Sequence, residues 1–134
     1  DWRGMSVTLD MDPAPVQLDA ALGYVNAIQE MLVYATEDLV RLLPALPKRL
    51  KKGSVQDFQY PGGSITMKWD LENKSFYVSL KAARPHRIRL SLPEGFGQFH
   101  WISGKVEKSQ DGRTYCLIFD RKGNMAECGC GLFL

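Results

Sequence analysis

The carboxylate best placed for chemistry in this sequence stands at the start of a helical pattern. Asp19 follows Pro15-Val16-Gln17-Leu18 and precedes a stretch whose apolar residues recur at steps of three and four. Backbone N–H groups at a helix N-terminus hold such a carboxylate in its ionised form. Helix capping and catalysis in a pocket built from helices are both consistent with this position.

Aromatic residues on alternating segments suggest a second kind of chemistry, because sugar rings stack on exposed flat rings in β-sandwich binding modules. Trp69, Tyr77, Phe99 and Trp101 lie on predicted strands. Trp69 falls in the apolar phase of its strand together with Met67, which favours core packing. We therefore predict that Trp69 and Trp101 are mainly core residues. The carbohydrate-binding alternative depends on Trp69, Tyr77 and Trp101.

The histidines and cysteines do not form a recognisable reactive or metal-binding pattern. His86 and His100 are the only histidines, and neither has the Ser, Cys and carboxylate neighbours of a catalytic triad. Cys116, Cys128 and Cys130 are an odd set without the spacing of a zinc knuckle. The sequence therefore predicts no metal, no cofactor and no obligatory disulfide.

A helix is predicted before the first proline-rich connector. Residues 1–18 show no period and are predicted to be irregular. The pattern over residues 20–42 is that of one amphipathic helix, with Asp19 at its N-cap and Pro44 ending it. Its apolar stripe consists of Leu22, Val25, Ile28, Leu32, Ala35, Leu39 and Leu42.

After Gly53 the apolar period becomes two, which predicts strands. Glu72-Asn73-Lys74 predicts a hairpin connection, and Gly62-Gly63 a turn or bulge. The sequence predicts a mainly β chain, an antiparallel β-sandwich preceded by one long amphipathic α-helix. Strands are predicted at 54–60, 65–71, 75–81, 87–92, 97–103, 104–108, 113–119 and 126–134.

Composition and charge exclude several classes of protein. The 134 residues are 45% hydrophobic and 24% charged, which is typical of a globular chain. The net charge of +2 does not favour nucleic acid, and no apolar run approaches the length of a membrane span. Residues 1–40 hold seven acids and one base, whereas residues 41–134 hold eight acids and 16 bases. This asymmetry is typical of an acidic segment beside a basic sheet. The compartment of the protein is not indicated.

Short motifs between residues 12 and 63 come in an order that resembles a known family. Their combination is similar to the C-terminal end of glycoside hydrolase family 95, the α-L-fucosidase and α-L-galactosidase family, over about residues 12–70. The motifs are Asp12-Pro13-Ala14-Pro15-Val16-Gln17-Leu18-Asp19, Gly23, Ile28-Gln29-Glu30-Met31-Leu32, Leu42-Leu43-Pro44-Ala45-Leu46-Pro47, Gly53-Ser54-Val55 and Gly62-Gly63.

The resemblance implies an architecture and a chemistry for a longer parent protein. Residues 1–47 would be the last helix of an (α/α)6 catalytic barrel and a connector, and residues 48–134 the C-terminal β-sandwich. The family hydrolyses with inversion, using a glutamic acid and an aspartate that polarises an asparagine to activate water. Asp19 matches that aspartate, whereas the glutamate and asparagine belong upstream. Ala20-Ala21 replaces the Gly-Asn that usually follows the aspartate.

The function expected from this resemblance is that of a structural fragment. The parent would hydrolyse α-L-fucosides or α-L-galactosides, and this chain alone would be inactive. Its expected partners are the remainder of the catalytic barrel and a second copy bound through the 20–42 helix. Neither nucleic acid nor a membrane is expected as a partner. A carbohydrate-binding β-sandwich module and a protein-interaction domain are the alternatives.

Overall fold

Strands make up most of the computed structural model, which describes residues 6–11, 14–18, 32–43, 50–109 and 114–133. Side chains are described for residues 32–43, 51–109 and 114–133. The strands are β1 (Ser6–Met11), β2 (Ala14–Leu18), β3 (Val33–Ala35), β4 (Leu39–Leu42), β5 (Leu50–Tyr60), β6 (Gly63–Asp70), β7 (Ser75–Ala82), β8 (His86–Ser91), β9 (His100–Ser103), β10 (Lys105–Lys108), β11 (Thr114–Phe119) and β12 (Met125–Cys130). A 3₁₀ helix, Gly131–Phe133, follows β12.

These strands form two sheets. The seven-stranded sheet has the order β2-β1-β5-β6-β7-β12-β9, and the five-stranded sheet has the order β10-β11-β8-β4-β3. β4 and β8 are parallel, and the other pairs are antiparallel. The chain is therefore mainly β, in an arrangement like a β-sandwich.

One apolar core collects the inward side chains of both sheets. Alternation along each strand decides which residues enter it, since successive side chains point to opposite sides. Phe96 and Phe99, from the segment after β8, pack their rings against Phe76 at centroid distances of 5.3 and 5.6 Å. The fully buried large side chains are Trp69, Phe76, Leu32, Leu42, Ile65, Met67, Leu80, Ile88, Leu90 and Leu117.

The turn between β6 and β7 is organised by a buried carboxylate. Asp70 is only 6% exposed, and its oxygens accept hydrogen bonds from the Asn73 backbone N–H (3.2 Å) and the Asn73 side-chain amide (2.7 Å). The amide hydrogen bond holds the pKa of the Asp70 carboxyl below its ordinary value, against the opposing effect of desolvation. Lys74 completes the turn with φ of 49°, a conformation that the hairpin predicted at Glu72-Asn73-Lys74 requires.

Replacing Asp70 by asparagine is expected to lower the free energy of unfolding by about 1–2 kcal/mol at pH 7, because one of the two accepting oxygens becomes an amide donor that faces an Asn73 donor. A lowered pKa means that the carboxylate stabilises the folded state above its unfolded pKa, and that this contribution disappears as pH falls through the folded pKa. The gap between wild type and variant should therefore shrink in urea titrations as the pH is lowered from 7 through the folded pKa of Asp70. Glu72→Gln, at an exposed side chain of the same turn, is the control. A stability difference that stays the same at pH 7 and in acid would contradict the stabilising role of the Asp70 carboxylate.

The long amphipathic helix predicted over residues 20–42 is wrong in the part that the structure describes. Residues 33–42 form β3 and β4, and no described helix reaches seven residues. Residues 20–31 and Asp19 lie outside the described residues, as does the connector at 44–47. Residues 33–42 therefore do not belong to a last barrel helix.

Residues 33–42 form a β-hairpin instead of a helix because a hydrogen-bonded turn joins β3 to β4 and because β4 pairs in parallel with β8. Thr36 N–H donates to the Leu39 carbonyl at 2.8 Å, and the Thr36 hydroxyl accepts from the Leu39 N–H at 3.1 Å. The Asp38 carbonyl accepts from the Arg89 N–H at 2.9 Å, which joins the turn to β8. Val33 and Val40, which are outside the helical stripe, become core residues. Their β-branched side chains favour strands.

The same correction concerns residues 32–42 of the predicted self-association surface, whereas self-association itself stays a prediction. Leu32 is 1% exposed within the core, and Leu39 lies in β4. These side chains therefore do not form an exposed helical stripe over residues 32–42.

The irregular structure predicted for residues 1–18 is also wrong where those residues are described. β1 pairs with β2 and with β5, so this segment extends the seven-stranded sheet. The division of the chain into 1–47 and 48–134 concerns the parent protein and stays a prediction.

Candidate functional site

The structure separates the two tryptophans that the sequence singles out. Trp69 is 0% exposed and lies opposite Gly53 and Phe76, so a sugar ring has no surface of this side chain to stack on. Trp101 is half-buried at the edge of the core, where its ring meets Tyr115 at 5.3 Å in an edge-on contact. The indole N–H of Trp101 is buried without a hydrogen-bond partner among the described residues.

Tyr77 lies on the outer surface of the seven-stranded sheet, in a small polar cluster. Its hydroxyl donates to a carboxylate oxygen of Glu127 at 2.7 Å, and burial together with this carboxylate raises its pKa. The Lys68 ammonium lies 5.6 Å from the Tyr77 ring centroid and 4.5 Å from that of Phe133. The cluster thus has a hydrogen-bonded carboxylate, but a cation of the chain itself occupies the space beside the ring.

The 3₁₀ helix after β12 is fastened to this side of the sheet. The Leu132 N–H donates to the Ser75 hydroxyl at 2.8 Å, and that hydroxyl donates to the Asn73 carbonyl at 3.2 Å. Phe133 then reaches Lys68. The last described turn therefore covers part of the Tyr77 surroundings.

Both ring nitrogens of His86 and one face of its ring contact other residues of the chain. Its Nδ1 lies 2.8 Å from the Arg84 carbonyl, which only accepts, so Nδ1 donates there; its Nε2 shares a hydrogen bond with the Tyr60 hydroxyl, also at 2.8 Å. The ring stacks on Phe119 at 4.8 Å. Burial raises the pKa of the Tyr60 hydroxyl. Both ring nitrogens have partners, so His86 is not placed as a free catalytic base.

Gly62 lies against the His86 ring, and Gly63 lies against β7. A methyl group at Gly62 would collide with the His86 ring, whose Cδ2 would be 2.5 Å away. A methyl group at Gly63 would collide with the Lys81 carbonyl oxygen and lie 3.1 Å from the Ala82 Cα. Two adjacent positions of the resemblance motif therefore need glycine for packing.

The outer surface of the five-stranded sheet combines arginines with apolar side chains. Arg87 and Arg89 alternate with the buried Ile88 and Leu90, and pairing places them beside residues of β11 and β4. Arg41 lies opposite Tyr34, with its guanidinium carbon 5.9 Å from the ring centroid. We call this surface the arginine face; it consists of Tyr34, Leu39, Arg41, Arg87, Arg89, Ser91, Lys105, Glu107, Thr114, Cys116 and Ile118.

The outer surface of the seven-stranded sheet differs in composition. Hydroxyl and lysine side chains dominate it, and Glu127 is its half-buried carboxylate. We call this surface the polar face; it consists of Ser54, Ser64, Thr66, Lys68, Tyr77, Ser79, Lys81, Ser103, Met125 and Glu127. The two sides of the molecule therefore present different chemistry.

A shallow cleft between loops at one end of the sheets holds an exposed ion pair. Lys105 pairs with Asp120, and this ammonium lowers the pKa of the Asp120 carboxyl. The Asn124 side chain accepts from the Arg121 N–H at 2.9 Å. Exposed pairs of this kind contribute little to stability, and the cleft brings one acid and no second carboxylate together.

The three cysteines are free thiols in different environments. Burial raises the pKa of Cys128 to about 12 and also raises that of Cys130. Cys116 is half-buried on the arginine face. It is therefore the thiol most open to a reagent.

Two features are absent from the described part of the chain. It holds no group of three His, Cys, Asp or Glu side chains that could bind a metal ion. No helix within it has the length and apolar character needed to cross a membrane.

Comparisons with known proteins give no family assignment. No protein-family profile matches the chain. No curated protein matches it either.

Sequence reasoning missed most of what surrounds these candidate sites. The sequence predicts a strand at Tyr77 but gives no sign that Glu127 and Lys68 lie beside its ring. The predicted strand at 87–92 contains Arg87 and Arg89, but its sequence gives no sign that Arg41 lies nearby. Asp19, the candidate catalytic residue, lies outside the described residues.

Proposed function

We propose that this chain is the non-catalytic C-terminal β-sandwich of a protein related to glycoside hydrolase family 95. Its role is to pack against the catalytic domain and stabilise it. Any catalytic role of Asp19, as the aspartate that polarises a water-activating asparagine, belongs to the full-length parent.

The coincidence of motif and packing at Gly62-Gly63 carries this proposal. Both glycines belong to the resemblance, and a side chain at either would meet the His86 ring or the β7 backbone. Val55, from the Gly53-Ser54-Val55 motif, is 1% exposed in the core. The motifs from residue 53 onward therefore coincide with positions that shape the sheet, which supports reading them as the start of a sandwich domain.

The coding sequence upstream of residue 1 tests the family assignment. We expect it to encode an (α/α)6 barrel with a glutamic acid and paired asparagines suited to inverting hydrolysis. An upstream sequence without such a barrel would overturn the proposal.

The isolated chain is expected to release no product from an aryl α-L-fucoside or α-L-galactoside. Inverting hydrolysis needs one group to protonate the leaving oxygen and another to activate water on the opposite side. The measurement is chromogenic release over hours at high protein concentration. Turnover that disappears in an Asp19→Ala variant would show that the chain is itself an enzyme.

Glycan binding is the second candidate function, and the hydrogen-bonded pair of Tyr77 and Glu127 on the polar face favours it. Carboxylates and aromatic rings together are suited to sugar hydroxyls and ring faces. Binding on a glycan array that is lost in Tyr77→Ala would favour this candidate over the structural role.

A further inference from the structure

A cleft of about 480 Å³ lies where the polar face meets the loop that precedes β12. Volumes of about 300–1,000 Å³ are typical of sites that bind small molecules. One wall is formed by Gln59, Ser64 and Lys81, from β5, β6 and β7, and the other by Lys122 and Gly123 of the loop. Neither the structural role nor the glycan candidate at the polar face uses this cleft.

Strand pairing sets three polar side chains of the cleft side by side. Gln59 lies directly opposite Ser64, and Ser64 lies directly opposite Lys81, so these residues form one row across three strands. Side chains at such positions have Cβ atoms about 4.5–5.5 Å apart. One Gln59 amide N–H donates to the Asp57 carbonyl at 3.1 Å, and the amide has a second N–H. The row therefore brings amide, hydroxyl and ammonium donors together.

The loop on the other side is fastened to the end of β7. The Gly123 N–H donates to the Ala82 carbonyl at 2.8 Å, and the Ala82 N–H donates to the Asn124 carbonyl, also at 2.8 Å. The loop is also closed on itself, because the Arg121 N–H donates to the Asn124 side-chain oxygen at 2.9 Å. Gly123 has φ of 89°, and a methyl group there would find no atom within 4 Å. Lys122 is therefore held on a fixed turn beside open space.

The charge of the cleft is positive. Lys81 and Lys122 are the charged residues among those that line it, and neither forms an ion pair with the part of the chain whose side chains are described. A cleft lined by one sign of charge concentrates ions of the opposite sign. The cleft is therefore suited to an anionic ligand.

Three acids lie close to the cleft in sequence or in register, and none of them lines it. Asp57 is exposed and lies two residues before Gln59. Glu127 accepts a hydrogen bond from Tyr77, and Asp120 pairs with Lys105. The two lysines of the cleft thus have no carboxylate between them.

Lysine binds phosphate and sulfate groups as a point charge with several N–H donors. The cleft has room for more than a bare ion, since one water takes about 30 Å³ in the liquid. We propose that it binds the phosphate or sulfate ester of a molecule of monosaccharide size. The oxyanion lies between Lys81 and Lys122, and the hydroxyl groups of the organic part meet Gln59 and Ser64. The cleft belongs to the sandwich itself, so this site does not depend on a catalytic domain.

The test is a titration of the ¹⁵N-labelled 134-residue chain, followed by two-dimensional NMR at low ionic strength. The probes are glucose 6-phosphate, galactose 6-sulfate, inorganic phosphate and glucose. We expect an ester to shift the backbone amides of Ser64, Ala83 and Gly123 along a saturating curve, and glucose to leave them unchanged. The ester that binds more tightly identifies phosphate or sulfate as the group recognised.

The double variant Lys81→Gln, Lys122→Gln is expected to bind the ester at least about tenfold more weakly, because both charged donors are removed. Lys74→Gln, Lys108→Gln is the matched control, since it removes the same charge at two exposed lysines outside the cleft, and it should bind as the wild type does. The dispersion of the same spectra shows whether each variant is folded. If the double variant is not, Lys122→Gln alone is expected to weaken binding at least about threefold.

Several results would overturn the site. These are unchanged amides with both esters, shifts that survive the double variant, and binding that the control loses equally. Glucose that shifts the same amides would show a site for neutral sugars instead. Inorganic phosphate that binds as tightly as the esters would overturn the part assigned to the organic group.

Discussion

Replacing Trp69 by alanine is expected to lower the free energy of unfolding by about 3–5 kcal/mol. Trp69 is 0% exposed, and its neighbours across the sheet are Gly53 and Phe76, so no small movement fills the space that the indole leaves. Such a loss is a large fraction of the stability of an ordinary domain, about 5–15 kcal/mol. Equilibrium unfolding in urea, followed by circular dichroism, measures it.

Ile102→Ala is the control for this substitution. Ile102 is 53% exposed where the pairing of β9 with β12 is irregular, and its truncation is expected to change stability by less than about 0.5 kcal/mol. A Trp69→Ala variant that unfolds with the wild-type midpoint but loses glycan binding on an array would contradict the core assignment.

The strands after residue 53 were predictable because local pattern and tertiary environment agree there. Ile65, Met67 and Trp69 alternate with polar residues in sequence and are buried in the structure. The turn at residues 71–74 has the residue types that a hairpin needs. Where one side of a strand is buried and the other faces solvent, the alternation of apolar and polar residues is sufficient to predict the strand and its buried side.

The helix prediction failed because a hairpin can imitate a helical stripe. Leu32, Ala35, Leu39 and Leu42 are spaced at three and four, but the turn at Thr36 resets the phase between two short strands. Residues 33–35 and 39–42 are too few to show period two clearly. The β-propensity of Val33 and Val40 was the one local signal in favour of strands. The pairing of β4 with β8, which is distant in sequence, determines that the segment is a strand and not a helix.

The candidate surfaces depend on contacts that sequence patterns do not contain. The hydrogen bond from Tyr77 to Glu127 joins residues 50 apart. Arg41 and Arg89 share a face only because β4 and β8 pair in parallel. Alternation shows which side of a strand is polar, but strand order determines which polar residues meet.

Replacing Gly63 by alanine is expected to destabilise the fold by about 3 kcal/mol or more, because the new methyl group meets backbone rather than a movable side chain. The Lys81 carbonyl carbon would be 3.0 Å away, so β6 and β7 would have to separate at Ala82, its partner in register. Gly62→Ala should cost less, about 1–3 kcal/mol, since the His86 ring can move at the expense of its hydrogen bonds. Urea midpoints and amide shifts at Lys81 and Ala82 measure both effects.

Gly97→Ala is the matched control, because no atom lies within 4 Å of its added methyl group and its backbone is outside the left-handed region. Its stability should stay within about 0.5 kcal/mol of the wild type. If Gly63→Ala unfolds at the same urea concentration as Gly97→Ala, the close approach of β6 to β7 is wrong. The packing reason for glycine in the Gly62-Gly63 motif, and with it the main support for the family proposal, would then be lost.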